Sequence, residues 1–418
     1  MLPLGRSALR HIASKTSYKT SYTRITRQLS QAITKVNETK EGIEYQGHYF
    51  PYLWLRDSCQ CPHCVHPSTK QKLNRSSDAC PDSQPKVLEN TKEGVKITWR
   101  SGHESIFPPS FLERYSSSSA RHDFHGDVGP VSWNRDTLQK SPALFVEYED
   151  LRRPEGLLRA MTQVVQYGLL FVRGVPNQET SNEACELRKL AGVFGEIRET
   201  FYGPLWDVVN LRNSTNIAYT NLFLDLHMDL LYFQHPPRYQ FLHCLRNRVN
   251  GGSSVVVDAL HAAQHLRTIN PSAFNILATV PTHFHYINNG EHYHQSHPTI
   301  ELDHDSSSVE KPIKFVNYSP PFQAPLSPST PEEFYHALSA FVGLLEGPGA
   351  KFEYLLREGD VMMFDNRRVL HARTAFTDKE GDGKTNGKEP NRWLKGCYLE
   401  ADALLSRRRS LLASAKNN

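Results

Sequence analysis

Residues 224–233 read LDLHMDLLYF, an apolar run interrupted by His227 and Asp229. Along a strand, residues i and i+2 project from the same face, so the imidazole and the carboxylate converge while Leu226, Met228 and Leu230 face the other way. That is metal-ligand geometry, although the same pair also occurs at strand ends, where it hydrogen-bonds a turn. Further on, GDVMMFDNRRVLHART carries a strand into Asp365 and Asn366, and a short loop delivers His371. His227, Asp229 and His371 would form two imidazoles and one carboxylate, the facial triad that leaves open positions on Fe(II) for a co-substrate and oxygen. A three-ligand zinc hydrolase uses the same ligand types. Arg392, in NRWLKGCYLE, offers a planar guanidinium that can take a carboxylate in bidentate fashion, as a co-substrate such as 2-oxoglutarate needs. An Arg in a strand is also an ordinary surface residue.

A second cluster, CQCPHC, sets Cys59, Cys61 and Cys64 together in a chain with seven cysteines. An odd number without a secretory signal argues against a disulfide framework and for metal. Spacing alone does not choose a fourth ligand among His63, His66 and His103. The His-rich stretch HFHYINNGEHYHQSH reads as a loop on the substrate side, His243 as a residue within the sheet, and RRRS near the C-terminus as a solvated helix face.

The elements that must position these residues are mostly strands. GIEYQGHYFPYLWLRDSC and GVKITWRSGHESIFPP each read as a hairpin, making residues 38–115 a small β-rich module. The Ser- and Gly-rich YSSSSARHDFHGDVGP opens a linker over 116–140, and the larger unit is expected over 141–418. Within it, EGLLRAMTQVVQYG repeats apolar residues at helical spacing through Leu157, Leu158, Met161, Val164 and Val165, followed by the strand-like LLFVRGV. Short runs such as YQFLHCLR, SSVVVDAL, IKFVNYS and DVMMFDN read as strands. PEEFYHALSAFVGLLEG reads as a helix with Phe334, Leu338, Phe341, Val342 and Leu345 on one face. Many short strands with helices to one side predict a mainly β fold with packing helices, a β-sandwich or jelly roll. No glycine loop has phosphate-cradling spacing.

The 418 residues, 39% hydrophobic and 10% aromatic, suit a soluble globular protein, and no apolar run approaches the roughly 18 residues that span a bilayer. The formal charge of +4 is unevenly placed: residues 1–37 hold seven Lys or Arg and no acid, leaving 41 Lys and Arg against 44 Asp and Glu in the rest. Nothing in the body calls for nucleic acid. The acid-free N-terminus, rich in Arg, Ser and Thr, reads as a mitochondrial transit peptide over residues 1–37, which predicts the matrix; a plain basic tail would predict the cytoplasm.

Taken in order, WLRDSCQCPHC, TFYGPLW, NIAYT, the His227/Asp229 pair, HPPRYQFLHCL, GGSSVVVD, FDNRRVLHAR and the stretch from Arg392 to Tyr398 resemble one family. The chain is similar to the carnitine-biosynthesis branch of the Fe(II)/2-oxoglutarate dioxygenases, the gamma-butyrobetaine and trimethyllysine dioxygenases, and more so to the former. The resemblance implies a double-stranded β-helix (TauD-like) catalytic core, with iron on His227, Asp229 and His371 and 2-oxoglutarate on Arg392. It implies a structural zinc on Cys59, Cys61, Cys64 and His103, closing a tetrahedron with no open position. Asn250 stands where the family usually has Thr before the paired glycines, a contact to 2-oxoglutarate.

Tyr202, Trp206, Tyr219 and Tyr398 occupy the positions of a cage for a quaternary ammonium, which aromatic faces hold by cation–π attraction. Asn216 and Asn317 would contact a substrate carboxylate. The expected activity is C3 hydroxylation of gamma-butyrobetaine to L-carnitine, consuming 2-oxoglutarate and O₂, with ascorbate as reductant and a homodimer as the assembly. Hydroxylation of N6-trimethyllysine at C3 is the first alternative, which the leader favours and Asn216 and the zinc cluster disfavour. A non-catalytic binder of betaine-like cations is the second.

Overall fold

The computed structural model describes residues 36–79, 83–209, 220–304, 306, 308–378 and 390–417. The chain divides into two compact units, Met1–Arg121 and His122–Asn418.

In the first unit, the two expected hairpins form. Gly42–Tyr45 pairs with His48–Pro51, and Gly94–Trp99 pairs with Glu104–Phe107. Alternation sets the buried face of the second hairpin: Val95, Ile97 and Trp99 point inward with Phe107, onto Ile43, Tyr45 and Phe50. The indole of Trp99 donates to Ser105 Oγ at 2.8 Å, so its polar end is satisfied inside that core.

The second unit is a two-sheet sandwich flanked by helices, the mainly β architecture predicted. The larger sheet runs in the order Trp206–Val209, Arg392–Leu399, Tyr239–Asn247, Val361–Asp365, Leu169–Arg173, Phe145–Glu147, and Ile197–Arg198 also pairs with Arg392–Leu399. The smaller sheet orders Leu224–His227, Val369–Arg373, Ser254–Asp258 and Phe352–Tyr354. Leu242, Cys244, Met362, Phe364 and Leu394 of the larger sheet meet Val256 and Val369 of the smaller in one interior. The opposite face of the larger sheet, with Tyr239, Phe241 and Met363, is covered by the helices Pro154–Tyr167, Glu186–Phe194 and Ala401–Asn417. The smaller sheet's outer face lies under Ala259–Ile269, Pro271–Thr279 and Glu332–Leu345.

Both long periodic helices form where the spacing predicts them. Pro154–Tyr167 starts with Pro at its first position, where no intrahelical N–H is needed, and ends on Gly168 at φ 71°. Three readings need correction. Residues 116–140 are not a bare linker: they contain the helices Ser118–His125 and Arg135–Leu138, and Trp133 is buried. Long-range bonds hold Trp133 there, from its backbone N–H to Asp258 (2.9 Å) and from its indole to the Tyr167 carbonyl (2.6 Å). HFHYINNGEHYHQSH forms a regular hairpin, Pro281–Asn288 with Glu291–Pro298, because alternation puts Phe284, Tyr286 and Tyr293 on a buried or half-buried face. Arg408 of RRRS is buried, bonded to Thr162 Oγ1 and the Gly126 carbonyl, while Arg407 and Arg409 are on the surface.

His243 does lie in the sheet, fully buried in Tyr239–Asn247, and burial pushes its pKa from 6.5 down to about 4. The unfolded chain therefore binds a proton between pH 6.5 and 4 that the folded chain refuses, so stability is complete above 6.5 and declines as pH falls through that window. One such shift corresponds to on the order of 3 kcal/mol. The urea midpoint of the wild type should drop between pH 6.5 and 4, and His243→Leu should flatten that drop; equal slopes in the two proteins would contradict it.

Candidate active site

His227 closes the strand Leu224–His227 and sits directly across from His371 in Val369–Arg373, with ring centroids 4.1 Å apart. Antiparallel register thus delivers both imidazoles to one point. The Nδ1–H of His227 donates to the Asp225 carbonyl at 2.7 Å, which leaves the Nε2 lone pair facing Asp229 Oδ1 at 3.5 Å. His371 Nε2 lies 4.0 Å from the same oxygen.

Strand alternation does not place Asp229, because the strand ends at His227. Asp229 enters a turn whose next residue, Leu230, takes φ 60°. Asn366 holds that turn from both sides: Asp229 N–H donates to Asn366 Oδ1 (2.8 Å), and Asn366 Nδ2 donates to the Asp229 carbonyl (3.0 Å). The Tyr398 hydroxyl then donates to Asp229 Oδ2 at 2.8 Å. Neither Asn366 nor the Tyr398 hydroxyl had a role in the sequence reading; the FDN that ends a strand was the one visible signal for Asn366.

The electrostatics suit a divalent metal. Burial, reinforced by His227, pushes His371 down to about 3, so its imidazole is neutral at physiological pH. Burial opposes ionisation of Asp229, yet its bond with His227, the proximity of the His371 and His227 imidazoles and the Tyr398 hydroxyl hold it below the ordinary carboxylate range. One ligand atom from each of His227, Asp229 and His371 lies within 4.8 Å of the others, which fits a 2-His-1-carboxylate centre.

Beside the triad is a cavity of about 60 Å³, bordered by His371, Arg392, Gln240, Ser254, Arg373 and Trp206. Arg392 is buried, and among the described residues no carboxylate pairs with it; an Nη donates to the Gly252 carbonyl at 3.3 Å, and its Nε has no partner among them. Burial pushes both Arg392 and Arg373 from 12.5 to about 10, so both stay charged at neutral pH. Their guanidiniums lie 5.2 and 5.1 Å from the ring of Phe376. A buried cation that no carboxylate pairs among the described residues, as Arg392 is, calls for an anion. The approach also explains a glycine: Gly252 has φ 73°, and a Cβ there would sit 2.9 Å from Arg392 Nε.

An aromatic wall completes the region. Trp206 and Tyr398 have ring centroids 5.2 Å apart, and Trp206 lies across Gly396, where a Cβ would meet its ring at 2.3 Å. Tyr202 packs on Phe201 at 4.0 Å and, with Trp206, against the cluster containing Tyr232 and Tyr398. Tyr286 and Tyr293 extend the wall, Tyr286 stacking on Tyr232 at 5.3 Å and Tyr293 on Phe201 at 5.1 Å.

Two expected contacts are not presented to the cavity. Asn250 is exposed on the short pair Val249–Gly251 with Phe376–Asp378, opposite Thr377, and is not among the residues that border Arg392's cavity. Asn317 is buried with both amide ends committed, Nδ2 to the Pro298 carbonyl (2.8 Å) and Oδ1 to Arg367 (2.9 Å). Asn216 and Tyr219 lie outside the described residues.

In the first unit, His103 Nε2 lies 3.3 Å from Cys59 Sγ and 3.6 Å from the sulfurs of Cys61 and Cys64, while His63 and His66 are exposed. Three thiols and one imidazole with converging ligand atoms fit a closed tetrahedral site compatible with zinc.

Residues 105–398 match the taurine catabolism dioxygenase TauD, TfdA family, and residues 40–113 match the gamma-butyrobetaine hydroxylase-like N-terminal domain. The chain belongs to the TauD/TfdA family. It is a 2-oxoglutarate-dependent dioxygenase. This dioxygenase is 52% identical over 364 residues to "Dioxygenase str8" of Strobilurus tenacellus, covering 87% of this chain and 85% of that one. It is 31% identical over 378 residues to the gamma-butyrobetaine dioxygenase of Homo sapiens (88% and 92% covered) and 30% identical over 370 residues to the mitochondrial trimethyllysine dioxygenase of Bos taurus (87% and 82%).

For such a dioxygenase the excess positive charge around Arg392 has a use, since 2-oxoglutarate is a dianion. Arg392→Met keeps the length of the side chain but removes the charge. Losing a charge-assisted hydrogen bond of about 1.5–3 kcal/mol should raise the KM for 2-oxoglutarate roughly 10- to 150-fold. An unchanged KM in steady-state succinate assays would exclude Arg392 as the anchor. Metal analysis provides a second check: one zinc per chain is expected, and Cys61→Ala should lose it and lower the thermal transition of the first unit while leaving iron content unchanged.

Proposed function

We propose that this dioxygenase hydroxylates gamma-butyrobetaine at C3 to give L-carnitine, with iron on His227, Asp229 and His371 and 2-oxoglutarate on Arg392. The observation that carries the reading is the aromatic wall beside the triad, where the ring of Tyr398 stands 5.2 Å from Trp206 and its hydroxyl reaches Asp229. A trimethylammonium group donates no hydrogen bonds and is retained by aromatic faces. Held there, the substrate presents a methylene of its short chain toward the triad, so position decides which C–H bond reacts.

When bound, iron supplies with 2-oxoglutarate and O₂ the oxidising power that puts one oxygen atom into that C–H bond and the other into succinate, as CO₂ leaves. The residues of this chain do the rest. Arg392 and Arg373 neutralise the co-substrate's charge, Asn366 and Tyr398 keep Asp229 in place, and the wall of Trp206, Tyr202 and Tyr398 orients the cation and excludes water. Tyr219 is proposed to complete the cage, and Asn216 to receive the substrate carboxylate. Ascorbate is the expected reductant, the mitochondrial matrix the expected location from residues 1–37, and a homodimer the expected assembly.

N6-trimethyllysine carries the same cationic head, and a relative named for that substrate shares 30% identity, so its 3-hydroxylation is the second reading. The complete triad with a buried Arg392, which no carboxylate pairs among the described residues, speaks against a non-catalytic cation binder.

The test is to incubate the full chain with Fe(II), ascorbate and 2-oxoglutarate, offer each substrate separately, and follow succinate together with a one-oxygen mass gain. Carnitine from gamma-butyrobetaine alone supports the proposal. Hydroxytrimethyllysine alone overturns the substrate and keeps the site; succinate without either product points to a different substrate. With the active substrate, Trp206→Ala should raise KM about 2- to 30-fold, as the loss of a cation–π contact of roughly 0.5–2 kcal/mol implies. A KM within error of the wild type would remove Trp206 from the cage.

A further inference from the structure

Tyr398 faces two ways. Its ring is one surface of the aromatic wall, 5.2 Å from Trp206, and its hydroxyl donates to Asp229 Oδ2 at 2.8 Å. The other carboxylate oxygen, Oδ1, is the one turned toward the imidazoles, 3.5 Å from His227 Nε2 and 4.0 Å from His371 Nε2. The two oxygens are therefore already divided between a hydrogen bond and the point where the imidazoles converge. Tyr398 comes from the larger sheet and the two histidines from the smaller, so this bond ties the ligand turn across the sandwich. Asn366 fixes the backbone of Asp229, but both of these bonds are to main-chain atoms and leave rotation of the carboxylate free.

We infer that Tyr398 is a positioning residue that keeps Asp229 a one-oxygen ligand, and that it joins the substrate wall to the metal site through a single side chain. The inference rests on the triad reading of the proposed function. A carboxylate free to turn can offer both oxygens to a metal and take a coordination position that the co-substrate or O₂ requires. A phenol on Oδ2 prevents that and fixes the angle at which Oδ1 is offered. Because the ring and the hydroxyl do different work, Tyr398→Phe separates them: the wall is kept and the donor is lost.

The experiment compares the full-length wild type with Tyr398→Phe, Trp206→Phe and His227→Ala, with the Cys59/Cys61/Cys64/His103 site loaded with zinc throughout. Fe(II) affinity is measured without oxygen, as is the charge-transfer absorbance of the Fe(II) and 2-oxoglutarate complex, and the ratio of succinate to hydroxylated product is measured in turnover. For Tyr398→Phe we expect Fe(II) affinity about 10- to 100-fold weaker, the range seen when a partner of a metal ligand is removed. We also expect a shifted absorbance band and a succinate excess, with anaerobic substrate affinity within about twofold of the wild type. Trp206→Phe should change substrate affinity without altering Fe(II) affinity or the band. Site-specific 3-fluorotyrosine at 398, which retains the donor, should restore Fe(II) affinity and the band, and it keeps the test decisive if the Phe variant folds poorly. Fe(II) affinity, band and coupling all unchanged in Tyr398→Phe would overturn the inference. If His227→Ala also keeps Fe(II) affinity, the triad reading itself fails; if only His227→Ala loses it, the triad stands and the role of Tyr398 does not.

Discussion

A largely buried carboxylate must stay ionised next to the imidazoles of His227 and His371, and much of this fold can be understood from that demand on Asp229. Removing a charged carboxylate from water costs several kcal/mol unless hydrogen bonds and opposite charge replace the solvent. Four groups do so here: the imidazoles of His227 and His371, the hydroxyl of Tyr398 and the amide of Asn366, which takes over the backbone of the turn. Each arrives on a different segment. His371 comes by cross-strand register, Asn366 by the turn after Val361–Asp365, and Tyr398 from the opposite sheet. The sandwich brings these segments together at the edge of one small cavity.

The same cavity carries the opposite electrostatic demand, and the two are complementary. Arg392 and Arg373 are buried cations whose charged forms burial disfavours, and each lowers its demand only partly through backbone carbonyls: Gly252 for Arg392, Thr220 and Leu222 for Arg373. A carboxylate of the protein's own would neutralise Arg392 permanently and compete with an incoming anion. Its absence among the described residues makes the site dependent on a ligand for its charge balance. Arg373 has a further consequence for position, because its two carbonyl partners lie just before the strand that ends in His227. The co-substrate cavity and the ligand strand are thus joined through one guanidinium.

How much of this was legible in the sequence depended on the range of the interactions involved. The helices Pro154–Tyr167 and Glu332–Leu345 were readable because their apolar stripes are local and periodic. His227, Asp229 and His371 were found by residue type and motif, but the argument that put His227 and Asp229 on one face of a strand holds for the first only. Asp229 is placed by a turn with Leu230 at φ 60° and by Asn366, 137 positions away. Asn317 read as a free amide because nothing nearby in sequence announces Arg367 or the Pro298 carbonyl as its partners. Trp133 read as part of a linker for the same reason, its anchors being Asp258 and Tyr167. Long-range hydrogen bonds leave no period in a sequence, so polar residues whose role is to hold another segment look like candidates for binding.

The strand Arg392–Leu399 shows how a single element can set the distances within the site. Alternate residues share a face, so Arg392, Leu394, Gly396 and Tyr398 all point toward the sandwich interior. They are, in order, the buried guanidinium of the anchor, a wall of the cavity, the seat across which Trp206 lies, and the donor to Asp229. A slip of one residue would exchange all four for Trp393, Lys395, Cys397 and Leu399, so the register with Tyr239–Asn247 is under strong constraint. That register is not uniform: it shifts between Cys244 and Arg246, where Leu394 and Trp393 are the partners. A bulge of this kind bends the strand and re-aims the residues beyond it. Here the extra residue is Leu245, so the bend belongs to Tyr239–Asn247, near the end that pairs with Arg392, while Gly396 and Tyr398 lie in regular pairing on the other side. The irregularity is therefore absorbed by the partner strand, and Arg392–Leu399 keeps the unbroken alternation that puts the anchor, the seat of Trp206 and the donor to Asp229 on one face.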